Sequence, residues 1–167
     1  MHIVFIQTGG TIDKDYPNND VKHGYGFEIG DPAVKSVVPS VAPLFTYDIV
    51  EVTKKDGTDL TDEDRNLIRE ATKAAKSDRI VITHGTATIL KTAKVLQGIH
   101  DKTVVITGAL LPEKFSASDA KFNVGMAVGA VQVLPPGVYV ALYGRVVPSQ
   151  EFEALGEEYE KKVKSGV

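Results

Sequence analysis

The chain has 167 residues, 43% of them hydrophobic and 25% charged, which predicts one soluble folded domain with a sizeable core. A net charge of −3 and scattered basic residues argue against nucleic-acid or anionic-membrane partners. The absence of cysteine excludes disulfides, thiolate metal sites and a cysteine nucleophile, and the four histidines are too widely spread to predict a metal site. No apolar run reaches the roughly 20 residues of a membrane span and no leader precedes the first strand, so we expect a cytoplasmic protein.

The first twelve residues predict a buried strand that ends in a glycine turn. Ile3, Val4, Phe5 and Ile6 form a β-branched and aromatic run, and Thr8-Gly9-Gly10-Thr11 follows it. In open α/β sheets, ligands bind at the carboxyl edge, where such a turn would place its hydroxyl groups. The turn is therefore either an ordinary strand end or part of a ligand site.

Residues 13–30 show neither a helical nor a strand period and carry Tyr16 and Tyr25. Loops of this length in compact domains are often functional. Because the segment follows the threonine turn, we interpret it as a lid.

The rest of the chain alternates strand and helix patterns. We predict helices at 31–38 (capped by Asp31), 61–76 (capped by Thr61), after Thr88 to Gln97, 119–133 and in the tail from Ser149. Strands are predicted at 46–53, 79–83, 103–107 and 138–142. Two glycines in the fourth helix, Gly125 and Gly129, are expected to allow close packing. This alternation predicts a three-layer α/β/α domain with about five main parallel strands.

Several strands end in threonine and glycine, at Thr8–Thr11, Thr83–Thr88 and Thr107–Pro112. Parallel strands share one carboxyl edge, so their hydroxyl groups can converge there. A threonine activated by a base, beside N–H groups that stabilise an oxyanion, predicts acyl transfer. The alternatives are that Thr86 and Thr88 are helix caps and that His84 is a packed residue rather than a base. A nucleotide site is the rival class, but the phosphate-loop patterns GxGxxG and GxxxxGK[ST] are missing.

Taken together, the segments resemble the bacterial-type L-asparaginase family, specifically its amino-terminal domain of flavodoxin-like type. The order and spacing agree over about residues 1–145. The chain looks most like short members without the carboxyl-terminal domain, so we expect a single domain over residues 1–167. The matching segments are Thr8–Ile12, Lys55–Leu60, Ile82–Thr88, Val105–Ala109 with Pro112, and Ser118–Ala120 with Asn123.

This resemblance implies hydrolysis of a side-chain amide, such as asparagine to aspartate and ammonia, without a cofactor or a metal. It implies Thr11 as the nucleophile, Tyr16 (or Tyr25) as its activator in the lid, and Thr86 as the second catalytic threonine. It also implies a homo-oligomer, a dimer or a tetramer. The substrate-binding positions that it implies are Gly10, Gly57, Thr58, Gly85 and Ala87.

Three positions depart from the family's pattern. Ala87 stands where the family has an aspartate that binds the substrate's ammonium, and Gly57 stands where it has a serine. No lysine occurs between Arg145 and Glu160, where the family's catalytic lysine is sought. Losing a desolvated charge partner costs about 2–5 kcal/mol, so we expect impaired activity. The alternatives are a non-catalytic module that binds an amino acid or amide, and an enzyme for amides without an α-ammonium.

Overall fold

The computed structural model describes residues 1–16 and 26–166. The described strands are β1 (His2–Gly9), β2 (Lys14–Asp15), β3 (Glu28–Ile29), β4 (Thr46–Lys55), β5 (Arg79–Thr83), β6 (Thr103–Thr107), β7 (Gly137–Leu142) and β8 (Arg145–Pro148). The described helices are α1 (Val34–Val37), α2 (Asp62–Ala74), α3 (Ile89–Leu96), α4 (Ala120–Val133) and α5 (Phe152–Lys164). None of these helices has the length and apolar composition needed to cross a membrane.

Six of the strands form one sheet in the order β4-β1-β5-β6-β7-β8. The first five are parallel, and β8 runs antiparallel to β7. The chain leaves β1 for β4 on one side and then returns to β5 on the other, so the strand order reverses at β1. This is the flavodoxin-like order, which places a ligand crevice at the carboxyl ends of β1 and its neighbours. The predicted fold class is confirmed.

Two apolar cores lie on opposite faces of the sheet. Val4 and Ile6 of β1 belong to the core that includes Ile68 of α2, whereas Ile3 and Phe5 belong to the core that includes Val124 of α4. Side chains alternate along a strand, so a continuous apolar run supplies both faces at once. The sheet is thereby held rigid behind the loops at its carboxyl edge.

The helix starts show which local predictions hold. Thr61 caps α2 through a capping box with Asp64, as predicted. Asp31 does not cap α1, because the Ala33 N–H at its start donates instead to the buried carboxylate of Asp13. The predicted close packing at Gly125 and Gly129 is also wrong, since a Cβ added at either would meet no atom within 4 Å.

The tail contains a strand that the pattern analysis missed. β7 and β8 are joined by Tyr143 and Gly144, both at positive φ. A two-residue turn with positive φ matches the twist of an antiparallel pair. β8 has only four residues and ends in Pro148, which leaves too short a pattern to read.

The ribbon of β2 and β3 joins the two ends of the segment interpreted as a lid. Residues 17–25, which include Tyr25, lie outside the described residues. The lid interpretation therefore stays a prediction.

Candidate functional site

Three glycine–threonine pairs lie at the carboxyl edge, one after each of the adjacent strands β1, β4 and β5. We call Gly10–Thr11, Gly57–Thr58 and Gly85–Thr86 the Gly–Thr cluster. A Cβ added to Gly10 would lie 2.3 Å from both Cα and N of Gly85, and one added to Gly85 would lie 2.7 Å from Cα of Gly57. Because these backbones touch, only glycine fits at positions 10 and 85, whereas a Cβ on Gly57 would lie 3.1 Å from Gly85 and require a small shift. The threonine that follows each glycine is thus brought to one site.

Hydrogen bonds to backbone carbonyls hold the loops of the cluster together. The Gly10 N–H donates to the Lys55 carbonyl at 3.0 Å, and the Thr88 hydroxyl donates to the Gly57 carbonyl at 2.6 Å. Thr88 is therefore a cross-link between loops and makes no side-chain cap to α3. Each member of the cluster opens or enters a short 3-10 turn, at Thr11–Asp13, Gly57–Asp59 and Thr86–Thr88. The first N–H groups of such turns lack partners within the turn. Those of Gly57 and Thr58 lie near the Asp56 carboxylate, whereas those at the starts of the other two turns are available to an anionic group.

The threonine hydroxyl groups of the cluster remain available to a ligand. Thr11 and Thr86 are partly exposed and Thr58 is exposed. Within residues 1–16 and 26–166, no hydrogen bond occupies any of these three hydroxyl groups. A nucleophile, a polar group that orients water and a ligand contact are chemically possible here.

The threonines at the ends of the strands behave differently. We call Thr8, Thr83 and Thr107 the strand-end threonines. The Thr8 hydroxyl donates to the Thr83 carbonyl at 2.8 Å, and the Thr107 hydroxyl donates to the Ala141 carbonyl at 2.7 Å. All three are buried. For Thr8 and Thr107, the expectation that their hydroxyl groups converge on a ligand is wrong, because the sheet itself takes them up. The Thr83 hydroxyl has no hydrogen-bond partner among the described residues.

His84 supports the cluster from within the core. Its ring is fully buried, with Nδ1 2.8 Å from the Gly85 carbonyl and Nε2 2.7 Å from the Thr92 hydroxyl. Since a carbonyl can only accept, Nδ1 carries the proton and Nε2 accepts from Thr92. Burial lowers the pKa of His84 to about 4, so the ring is neutral at pH 7. His84 is a packed residue that holds the Gly85 carbonyl.

Tyr16 lies at the rim of the site. Its side chain is 58% exposed, and its ring packs against Phe27 at a centroid distance of 5.1 Å. The Phe27 ring in turn contacts Phe115 at 5.8 Å. Among the described residues, no hydrogen bond joins the Tyr16 phenol to Thr11. The role of Tyr16 as an activator stays a prediction.

Ala87 directly follows Thr86 in the same turn and is exposed. Its methyl group carries no charge that could pair with a ligand. Residues 146–159, which lack lysine, form β8 and the first part of α5. This segment therefore supplies no lysine to the site, and β8 is separated from β5, the strand that precedes Gly85–Thr86, by β6 and β7.

A charge pair that sequence reasoning missed joins two loops of the site. Lys14 Nζ lies 2.5 Å from the carboxylate of Asp56, just before Gly57. Lys14 and the N–H groups of Gly57 and Thr58 lower the pKa of Asp56. Lys14 lies on β2 and Asp56 follows β4, so no local pattern pairs them. Only the contact between these loops, which the fold creates, could reveal the pair.

A polar cleft of about 400 Å³ opens next to the β2–β3 ribbon, and none of the six residues of the Gly–Thr cluster lines it. Residues of β2 and β3, residues next to these strands, Lys54 of β4 and the loop after β6 line the cleft. Charged residues line most of it: Asp13, Lys14, Asp15, Glu28, Asp31, Lys54, Glu113 and Lys114. The cleft is suited to a small polar ligand rather than an apolar one.

Comparison with known proteins gives a consistent result. A family sequence model described as "Asparaginase, N-terminal" matches residues 2–156. The chain is 32% identical over 136 residues to L-asparaginase 2 of Escherichia coli (strain K12), covering 76% of this chain and 38% of that protein. It is 30% identical over 156 residues to L-asparaginase of Thermococcus kodakarensis, covering 88% and 45%.

Solved structures show the same relationship. The thermostable L-asparaginase from Thermococcus kodakarensis superposes with a TM-score of 0.77 at 27% identity, covering 89% of this chain and 46% of that one. A probable cytoplasmic L-asparaginase from Campylobacter jejuni superposes with a TM-score of 0.72 at 26% identity, with the same coverages. The chain spans less than half the length of these relatives. It belongs to the asparaginase family and corresponds to the amino-terminal domain of that family.

Proposed function

We propose that this domain hydrolyses a carboxamide, such as the side-chain amide of asparagine, with Thr11 as the nucleophile. The observation that carries the proposal is the contact among Gly10, Gly57 and Gly85, which gathers three hydroxyl-bearing turns at one crevice. Family membership supports the same chemistry, because the relatives are described as L-asparaginases.

The reaction follows from the groups at the site. The Thr11 hydroxyl oxygen bonds to the amide carbon while its proton passes to a base, for which Tyr16 is our candidate. N–H groups of the surrounding turns stabilise the oxyanion. The carbon–nitrogen bond then breaks and the nitrogen leaves as ammonia after taking a proton. A water molecule oriented by Thr86 cleaves the acyl ester and restores Thr11.

Substrate contacts are proposed at the backbones of Gly10 and Gly85 and at the Gly57–Thr58 turn. The N–H groups of Gly57 and Thr58 lie close enough to the Asp56 carboxylate to lower its pKa. We therefore expect this turn to contact a substrate through the Thr58 hydroxyl.

Ala87 bears on the choice of substrate. Its methyl group cannot pair with the ammonium group of an amino acid, so we expect weak turnover of asparagine and better tolerance of amides that lack an α-ammonium. The same observation favours a second candidate, a module that binds an amino acid or amide without turnover. In that case, asparagine raises the unfolding temperature but no ammonia is released.

The test is ammonia release from asparagine, glutamine and an amide without an α-ammonium, for the parent chain and for Ala87→Asp. We expect Ala87→Asp to release ammonia from asparagine faster than the parent. Thr11→Ala should abolish release, and Thr11→Ser should restore part of it. Thr46→Ala, at the opposite edge of the sheet, is the matched control. Absence of ammonia from every variant and substrate would refute the hydrolase proposal.

We also propose that the protein forms a cytoplasmic homo-oligomer. The relative from Campylobacter jejuni described as a probable cytoplasmic L-asparaginase supports the location. Sedimentation velocity across a concentration series tests the assembly, and a monomer at all concentrations would contradict it.

A further inference from the structure

Asp13 lies two residues after Thr11, and its carboxylate is almost completely buried, with 3% exposure. Oδ1 accepts the Ala33 N–H at 2.7 Å, and Oδ2 accepts an N–H of the Gln7 side chain at 3.1 Å. The N–H of Asp13 itself donates to the Gly10 carbonyl at 3.1 Å. One residue therefore connects the Gly10–Thr11 turn to the start of α1.

The connection extends to Gly30, which follows β3 and lies opposite Asp13 at the same end of the β2–β3 ribbon. Gln7 Nε2 also donates to the Gly30 carbonyl at 3.2 Å, and the Gly30 N–H donates to the Asp13 carbonyl at 2.8 Å. We call the set Gln7, Asp13, Gly30 and Ala33 the Asp13 clasp. The Gln7 side chain is fully buried, and its Oε1 has no hydrogen-bond partner among the described residues. The clasp thus contains one buried acceptor, Gln7 Oε1, that has no donor among the described residues.

Charged groups of both signs surround the clasp. Lys54 and Glu51 of β4 act on Asp13 with opposite signs. Glu51 pairs with Lys35 of α1 at 2.7 Å, and Lys54 lies between Glu51 and Asp31. On the turn of Asp13 itself, Lys14 pairs with Asp56 and Asp15 lies near Lys114. Burial is the largest influence and raises the pKa of Asp13 to about 7, although the Ala33 and Gln7 hydrogen bonds act in the opposite direction.

The two protonation states differ in what they can hold. An ionised carboxyl group accepts both N–H donors, one on each oxygen. A proton on either oxygen adds a donor there and weakens that oxygen as an acceptor, so the arm of the clasp that it serves is weakened. The Asp13 N–H donates to the Gly10 carbonyl, so any shift of Asp13 on protonation is passed to the Gly10–Thr11 turn.

We propose that Asp13 is a positioning residue for Thr11: its ionised carboxyl group holds the Gly10–Thr11 turn through the clasp and releases it on protonation. The role in catalysis rests on the proposed amide hydrolysis, whereas the clasp itself does not. Asp13 acts through Thr11 and the backbone and does not touch the substrate.

The test has one readout without substrate and one with it. The amide resonances of Thr11 and Ala33 are followed by NMR from pH 5 to 9 in the parent, in Asp13→Asn and in the control Asp31→Asn. Both resonances should titrate with a midpoint near 7 in the parent and the control and should not do so in Asp13→Asn. Asp31 is exposed and contacts only lysines among the groups described here, so it reports nearby charge alone.

The second readout is ammonia release, measured on Ala87→Asp if the parent is too slow. The kcat should fall on the acid side with the same midpoint, and this limb should vanish in Asp13→Asn. At pH 8, Asp13→Asn should lower kcat about tenfold through misplacement of Thr11, with KM changed less than about twofold. The isosteric Asp13→Asn is the primary variant, since Asp13→Ala also opens a cavity.

Two results would overturn the inference: amide resonances that fail to titrate in the parent, or an Asp13→Asn variant with the parent's kcat and acid limb. If both resonances titrate as expected and no amide is hydrolysed, the clasp is supported and the proposed function fails. The two failures are therefore distinguishable.

Discussion

The Gly–Thr cluster and the strand-end threonines use the same residue type for opposite purposes. Thr11, Thr58 and Thr86 each follow a glycine that lies in backbone contact with another loop. Thr8 and Thr107 remain within the sheet, where their hydroxyl groups bond to carbonyls of neighbouring strands. The hydroxyl groups that are both unpaired and exposed to a ligand are therefore those of threonines that follow the sheet, since the unpaired hydroxyl of Thr83 is buried.

The largest expected effect comes from filling the contact that defines the cluster. Gly10→Ala places a Cβ 2.3 Å from Gly85 backbone atoms at a φ of +88°. Overpacking and left-handed strain together should lower the free energy of unfolding by about 4 kcal/mol. Urea unfolding measures this, and ammonia release should be lost.

Gly129→Ala is the matched control, since its Cβ meets no atom within 4 Å and lies within α4. It should stabilise the protein by about 0.5–1 kcal/mol. Equal destabilisation by both variants would show that the close contact of Gly10 does not matter.

The next effect is a pH dependence with two opposing parts. The pKa of His84 is lowered to about 4, so the unfolded chain binds more protons between about pH 4 and 6.5 and stability is lost as the pH falls. The pKa of Asp13 is raised to about 7, so the folded protein binds more protons above pH 3.8 and stability is lost as the pH rises towards 7. Each contributes about 3–4 kcal/mol, and together they nearly cancel.

Single substitutions should separate the two slopes. His84→Gln should leave a free energy of unfolding that falls as the pH rises from 4 to 7, whereas Asp13→Asn should leave one that rises from 4 to 6.5. Urea unfolding at each pH measures both. Parallel pH profiles for the two variants would contradict the opposite burial effects that we assign.

A smaller effect is expected at the strand-end threonines. Thr107→Val removes the hydrogen bond to the Ala141 carbonyl and should cost about 1 kcal/mol of stability. Ammonia release should remain at the parent rate. A large loss of turnover with little loss of stability would place Thr107 in the site and end the distinction between the two groups.

The fold was readable from the sequence because its signals are local. The apolar runs of β1, β5 and β6 and the Thr61 cap each predict an element from adjacent residues. Two features at the site depend instead on residues far apart in the chain. One is the contact of Gln7, Asp13 and Ala33, which forms only when β1 and α1 pack together. The other is the ion pair between Lys14 on β2 and Asp56 after β4. The helix start at Asp31 was mispredicted for the same reason, because a distant carboxylate takes the Ala33 N–H.

The sequence predicts that all the threonines at the strand ends converge on one site, whereas the structure divides them into two groups. Strand ends and turns are one or two residues apart, as with Thr8 and Thr11, and element boundaries are the least certain part of any pattern. What separates the two groups is the backbone contact of Gly10, Gly57 and Gly85, which depends on the sheet order β4-β1-β5.

The most direct test of the distinction is ammonia release by Thr11→Val and Thr107→Val, compared in the Ala87→Asp background. Both changes replace a hydroxyl group by a methyl group of similar volume, so packing is nearly matched. We predict that Thr11→Val loses all measurable turnover while Thr107→Val retains it. Turnover that survives in Thr11→Val, or disappears equally in both, would contradict the account.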